Sequence, residues 1–120
     1  MEEDETRSIT GRQRREPRLA TELEGTLSGR HERAVQVLDL SFRGCLVRGA
    51  VAFDKGAILD LRVVLDQETL MATVRVAECS LDGERPVEAG PVFLVGLEFL
   101  NLSAESTLCL RRYLDSERRR

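Results

Sequence analysis

Two short stretches carry the residue types that could meet a ligand. The first is Arg14-Arg15-Glu16-Pro17-Arg18, three arginines around a proline in a chain whose formal net charge is -3. Pro17 disfavours helix at Glu16 and offers no backbone donor, so the segment reads as an extended or turning arm. In an extended arm Arg14 and Arg18 project the same way. A guanidinium can pair bidentately with a phosphate or with the O6/N7 edge of guanine, and can stack on a base. The second stretch is VLDLSFRGCLV, in which Asp39 and Ser41 stand two apart and Gly44 follows where the chain must turn into the next strand. In extended backbone Asp39 and Ser41 share a face, which sets an acceptor and a hydroxyl beside a glycine. Glycine tolerates positive φ and lets a ligand come close to backbone N–H groups that can hold an anion. Alone, an arginine cluster is most often a solvated tail and a D-x-S-x-x-G is most often a turn between strands.

The rest of the composition narrows the chemistry. The 120 residues suffice for one domain with one core. Cys45, Cys79 and Cys109 are odd in number and widely spaced, which fits neither a disulfide framework nor a CxxC metal site and reads as reduced, half-buried small hydrophobes. His31 is the single histidine, in a turn-like SGRHER stretch, so a histidine triad or metal cluster is not expected. A pI near 5.3 argues against a protein that coats nucleic acid, although the charge is uneven: acidic over residues 2–5, basic from Arg7 to Arg18 and basic again in RRYLDSERRR. No apolar run spans a membrane and MEEDE does not open a secretory signal, so a soluble, cytoplasmic protein is expected.

The elements that must position these residues have the period of strands from Leu19 onward. LATELEGTLS sets Leu19, Thr21, Leu23, Gly25 and Leu27 on one face; RAVQVLDL sets Val35 and Val37 against Ala34, Gln36 and Leu38. CLVRG, AILDLRVVL, TLMATVRVAEC and VFLVGLEFL continue the series, with AFDKG, DQE and SLDGERPVEAGP as connections. Six strand candidates at short spacing, without long helices between them, predict an antiparallel barrel or sandwich. The period then changes. Ser103 is a good N-cap, Glu105 lies in the first turn, and Leu110, Tyr113 and Leu114 form a stripe, predicting a helix over 103–117 that covers an opening or edge of the barrel.

Arg14 and Arg18 as RxxxR, followed by Asp39, Ser41 and Gly44 as D-x-S-x-x-G, resemble the hallmark of the PilZ domain family. The resemblance extends over nearly the whole chain, including the VGLEFLNLS ending and the helix after it. It implies an all-β fold with a C-terminal helix, a six-stranded antiparallel β-barrel. Residues 1–12 are then a flexible tail and 13–118 the domain, including the arginine arm at 13–18. It further implies a stand-alone, non-enzymatic receptor for the bacterial second messenger cyclic di-GMP that signals to a partner protein, with no cofactor, metal or membrane insertion. By that resemblance Arg14 and Arg18 contact guanine edges and phosphates, with Arg15 as a helper. Asp39 accepts from a guanine N–H or holds an arginine, and Ser41 and the backbone near Gly44 complete the wall. The rival readings are a protein-binding adaptor on the same fold and, further off, a basic-arm barrel for RNA or single-stranded DNA, which lacks the aromatic platform such binding uses. No nucleophile–base or metal constellation suggests an enzyme.

Overall fold

The computed structural model describes residues 19–83 and 90–118. The proposed tail at 1–12 and the arm at 13–18, with Arg14, Arg15 and Arg18, lie outside them. Six strands and one helix follow in order: β1 (Leu19–Ser28), β2 (Glu32–Leu40), β3 (Gly44–Gly49), β4 (Ile58–Leu65), β5 (Glu68–Leu81), β6 (Phe93–Leu102) and α1 (Ala104–Arg118). All neighbouring strands are antiparallel and the sheet closes as β1-β2-β3-β6-β5-β4. This is the expected barrel with its C-terminal helix.

Alternation builds the core. In β4 Leu59, Leu61, Val63 and Leu65 are buried and every residue between them is exposed. Leu27, Val35, Val37, Leu40, Val47, Leu70, Val74, Val76, Val95 and Leu97 complete the barrel interior. Burying each aliphatic side chain of this size contributes roughly 1.5–3 kcal/mol, so the packed interior is the main term holding the barrel closed. Cys45 and Cys109 are buried, Cys79 is half-buried, and all three are free thiols. Burial, reinforced by the nearby Glu68 carboxylate, pushes the Cys109 thiol up, which keeps it protonated and inert.

Two boundaries differ from the sequence pattern. β5 runs on through Ser80 and Leu81, expected in the loop, because these residues still pair with Leu94 and Phe93 of β6. β6 in turn reaches Leu102, and its last bulge, between Phe99 and Asn101 opposite Thr73 and Val74, leaves Leu100 exposed. Neither extension was legible, since strand pairing across a long connection carries no local signal.

Strands β3 and β4 are not neighbours, so the connection 50–57 crosses one mouth of the barrel. Phe53 packs against the core there, and Gly56 and Ala57 exchange backbone bonds with Val76. At the opposite mouth the chain turns twice. Ser41–Gly44 joins β2 to β3, and Asp66 and Gln67 join β4 to β5, with Asp66 at φ 55. Helix α1 lies at this same end. Ser103 caps it, its Oγ accepting from the Ser106 N–H at 3.0 Å. Ser106, Cys109, Leu110, Tyr113 and Leu114 face the barrel. The helix is fastened by Met71 N–H donating to Ser106 Oγ at 3.2 Å, by Arg112 to Glu68 at 2.5 Å and by a 3.2 Å hydroxyl contact between Tyr113 and Thr21.

Candidate ligand-binding face

Strict alternation along β2 from Val35 and Val37 would turn Asp39 inward and Leu40 outward. A bulge between Val37 and Asp39 prevents this: Val37 pairs with Val47 and Asp39 with Leu46, leaving Leu38 as the extra residue. Leu40 is thereby returned to the core at 0% exposure. Asp39 stands half-buried on the outer face, where its Oδ1 accepts from the Leu46 N–H at 3.2 Å. The carboxylate is thus anchored across two strands before any ligand is considered.

Ser41 is placed differently from the sequence expectation of two side chains standing together. It lies just past the end of β2 and is fully buried, at 0% exposure. Its Oγ accepts from the Arg43 N–H at 3.2 Å and donates to the Gly44 carbonyl at 3.3 Å. Its own N–H donates to that same carbonyl at 2.9 Å, and the Phe99 N–H donates to the Arg43 carbonyl at 2.8 Å. Ser41 therefore acts inside the turn and fixes where Phe42 and Arg43 sit.

Gly44 has a reason other than the positive φ that a turn glycine suggests. Among the described residues, the glycines in that conformation are Gly56 and Gly90. A Cβ on Gly44 would stand 2.0 Å from the Leu97 carbonyl oxygen and 3.2 Å from Glu98 Cα. Only a residue without a side chain lets β3 begin this close to β6.

The pairings extend the outer face in rows. Ala20, Asp39, Leu46, Gly96 and Glu78 lie side by side across β1, β2, β3, β6 and β5, and Glu24, Gln36, Arg48, Leu94 and Ser80 form the next row. Arg48 Nη2 donates to Gln36 Oε1 at 2.6 Å. These two residues were not singled out by the sequence; the available signal was their place on the polar side of two alternating strands. The described chain begins at this face: Leu19, the residue after Arg18, pairs with Leu40, and Ala20 pairs with Asp39. Among the described residues no group of three or more His, Cys, Asp or Glu is placed to hold a metal ion, and no helix is long and apolar enough to cross a membrane.

A closed barrel of six antiparallel strands, with one helix at the end where the D-x-S-x-x-G turn sits and an RxxxR pair directly before the first strand in the sequence, defines a distinct class of small domain. The chain belongs to the PilZ domain family, whose model matches residues 12–116 and so takes in both motifs. Among curated proteins, no relative matches significantly. Solved structures do. The PilZ domain of YcgR from Escherichia coli, determined with c-di-GMP, is similar at TM-score 0.71 and 16% identity, covering 88% of this chain and 92% of that one. The Bacillus subtilis inhibitor of motility MotI (DgrA) is similar at TM-score 0.72 and 18% identity, covering 86% and 50%. The complex of MrkH from K. pneumonia with c-di-GMP is similar at TM-score 0.66 and 14% identity, covering 88% and 55%. The chain thus spans about half the length of MotI and MrkH.

Proposed function

We propose that this chain is a non-enzymatic cytoplasmic receptor for cyclic di-GMP that relays its occupancy to a partner protein. The observation that carries the reading is the register at the start of β1, where Leu19 and Ala20, the residues that follow Arg18 in the sequence, pair with Leu40 and Asp39. Membership of the PilZ family and the cyclic di-GMP bound to YcgR and MrkH support it.

The ligand has two phosphates and two guanines, and so asks for several cations, an acceptor for guanine N–H groups and close approach to backbone. Arg14 and Arg18 grip phosphates and guanine edges, and Arg15 assists. Asp39, already held toward the outer face by the Leu46 amide, accepts from guanine N–H or orients an arginine. Ser41 contributes through the turn it builds, and Gly44 by letting that turn lie flat against β6. Relay has a physical route: Thr21, three residues after Arg18, touches Tyr113 of α1, so a change at the arm reaches the helix through one hydroxyl contact.

Isothermal titration against cyclic di-GMP and cyclic di-AMP tests the reading. The protein should bind the guanine form and discriminate against the adenine form, which has no N1–H or N2 amine for Asp39 and no O6 for an arginine. Arg18→Ala, and Arg14→Ala alike, should lower affinity by about 2–5 kcal/mol with the fold intact, as for loss of one member of a desolvated charge pair. Asp39→Ala decides between recognition and plain charge attraction. Removing a repulsive carboxylate tightens a mere anion patch, whereas loss of a guanine acceptor costs about 1–3 kcal/mol. A soluble, folded wild-type protein that binds neither dinucleotide would leave the adaptor reading in its place.

A further inference from the structure

One arginine on the outer face of the barrel is held but not neutralised. Arg48 is half-buried, so it is not a freely sweeping surface side chain, and its guanidinium is pinned by Gln36 Oε1 at 2.6 Å. Gln36 is neutral. It fixes one of the guanidinium's donors and leaves the charge and the other donors available. The contrast lies on the same molecule: Arg75 is paired with Glu98 at 2.6 Å and Arg112 with Glu68 at 2.5 Å, each cation offset by a carboxylate. Among the described residues no carboxylate pairs with Arg48.

The place of this cation matters as much as its charge. Cys45 and Val47 turn into the core, so Leu46 and Arg48 share the outer side of β3. At roughly 3.4 Å per residue Arg48 stands about 7 Å along the strand from the residue whose amide Asp39 holds. Its β6 neighbour is Leu94, and next to Leu46 is Gly96, where an added Cβ would find Glu78 Cγ at 3.5 Å as its nearest side-chain neighbour. Between Asp39 and Arg48 the outer side of β3 carries Leu46, with Gly96 beside it on β6 and the Glu78 side chain reaching that glycine. Asp39 lies in the Leu46 row on β2, one strand from β3, whereas the backbones of Glu24 and Glu78, the other acidic residues in these rows, lie two strands away, about 10 Å at the usual strand spacing.

We propose that Arg48 is a further binding residue, the fixed cation of this face, contacting a phosphate of the bound dinucleotide, and that Gln36 is its positioning residue. The proposal rests on the cyclic di-GMP reading above and extends it. Arg48 supplies a cation that the barrel already holds in place, which reduces the ordering needed on binding.

Titration with cyclic di-GMP at two or more salt concentrations, together with thermal unfolding, tests it in three variants. Arg48→Ala should raise the Kd about tenfold or more, the loss of one charge-assisted contact, and should flatten the salt dependence of binding relative to wild type. Arg48→Lys should recover part of the affinity, keeping the charge without the planar fork. Gln36→Glu replaces the neutral anchor by a carboxylate that neutralises Arg48; it should weaken binding while leaving the melting temperature unchanged or raised. A purely structural pair predicts the reverse, with Arg48→Ala lowering the melting temperature and all three variants binding as the wild type does. That result overturns the proposal while the receptor reading stands. Failure of the wild-type protein itself to bind cyclic di-GMP overturns the receptor reading, and this proposal with it.

Discussion

The two tight turns at the motif end of the barrel reverse the chain in opposite ways. Ser41–Gly44 contains a glycine without positive φ, and Asp66–Gln67 contains a positive φ without glycine. In the first, residue identity is imposed from outside by the β6 backbone, 2.0 Å from where a Cβ would stand, and from inside by the Ser41 hydroxyl. In the second the strain is local, an aspartate at φ 55 closing the β4–β5 pairing of Leu65 with Glu68. The comparison teaches that a glycine in a turn can serve a neighbour's backbone rather than its own torsion, and that the two cases answer differently to mutation.

The sharpest way to break the comparison is Gly44→Ala. The new methyl meets backbone that cannot move without disturbing the β3–β6 pairing, so we expect a loss of about 3 kcal/mol or more in denaturant unfolding, at the upper end of overpacking effects. Ser41→Ala should cost less, about 1–2 kcal/mol, because it leaves the Arg43 N–H without its acceptor in a partly buried turn. Its check is again the unfolding midpoint. Asp66→Gly is the small effect of opposite sign: relief of the left-handed conformation, offset by the greater freedom of the unfolded chain, should leave the protein unchanged or up to about 1 kcal/mol more stable. If Gly44→Ala were tolerated and Asp66→Gly were strongly destabilising, the distinction between an imposed and a local glycine requirement would fail.

The strands were legible wherever alternation was unbroken, as in β4, whose four buried residues could be named from AILDLRVVL. The helix was legible from Ser103, Glu105 and the stripe of Leu110, Tyr113 and Leu114, because capping and stripe are both local. The bulge in β2 was not legible: regular alternation groups Leu40 with Gln36 and Leu38, opposite Val37, and the register shift that buries it appears only in the pairing with β3. Within the candidate site the sequence named Asp39, Ser41 and Gly44, but their physical roles depended on non-local neighbours. The crowding at Gly44 comes from Leu97, which is more than fifty positions downstream. Arg48 stayed hidden for the same kind of reason. An arginine on a strand's outer side is ordinary until an amide on the adjacent strand is found holding it.

The seam that closes the barrel is short. β1 pairs with β4 only from Gly25 to Ser28, whereas its pairing with β2 begins at Leu19. The first half of β1 therefore has one side not laddered to β4, and the contact recorded there is Tyr113 of α1 on Thr21. A row of backbone donors and acceptors left in that state is a template for another chain, and natural sheets cover such edges. On this view α1 is a guard against self-association as well as a lid. A chain ending before Ala104 should retain the strands yet polymerise edge to edge, and light scattering on such a truncation would register it.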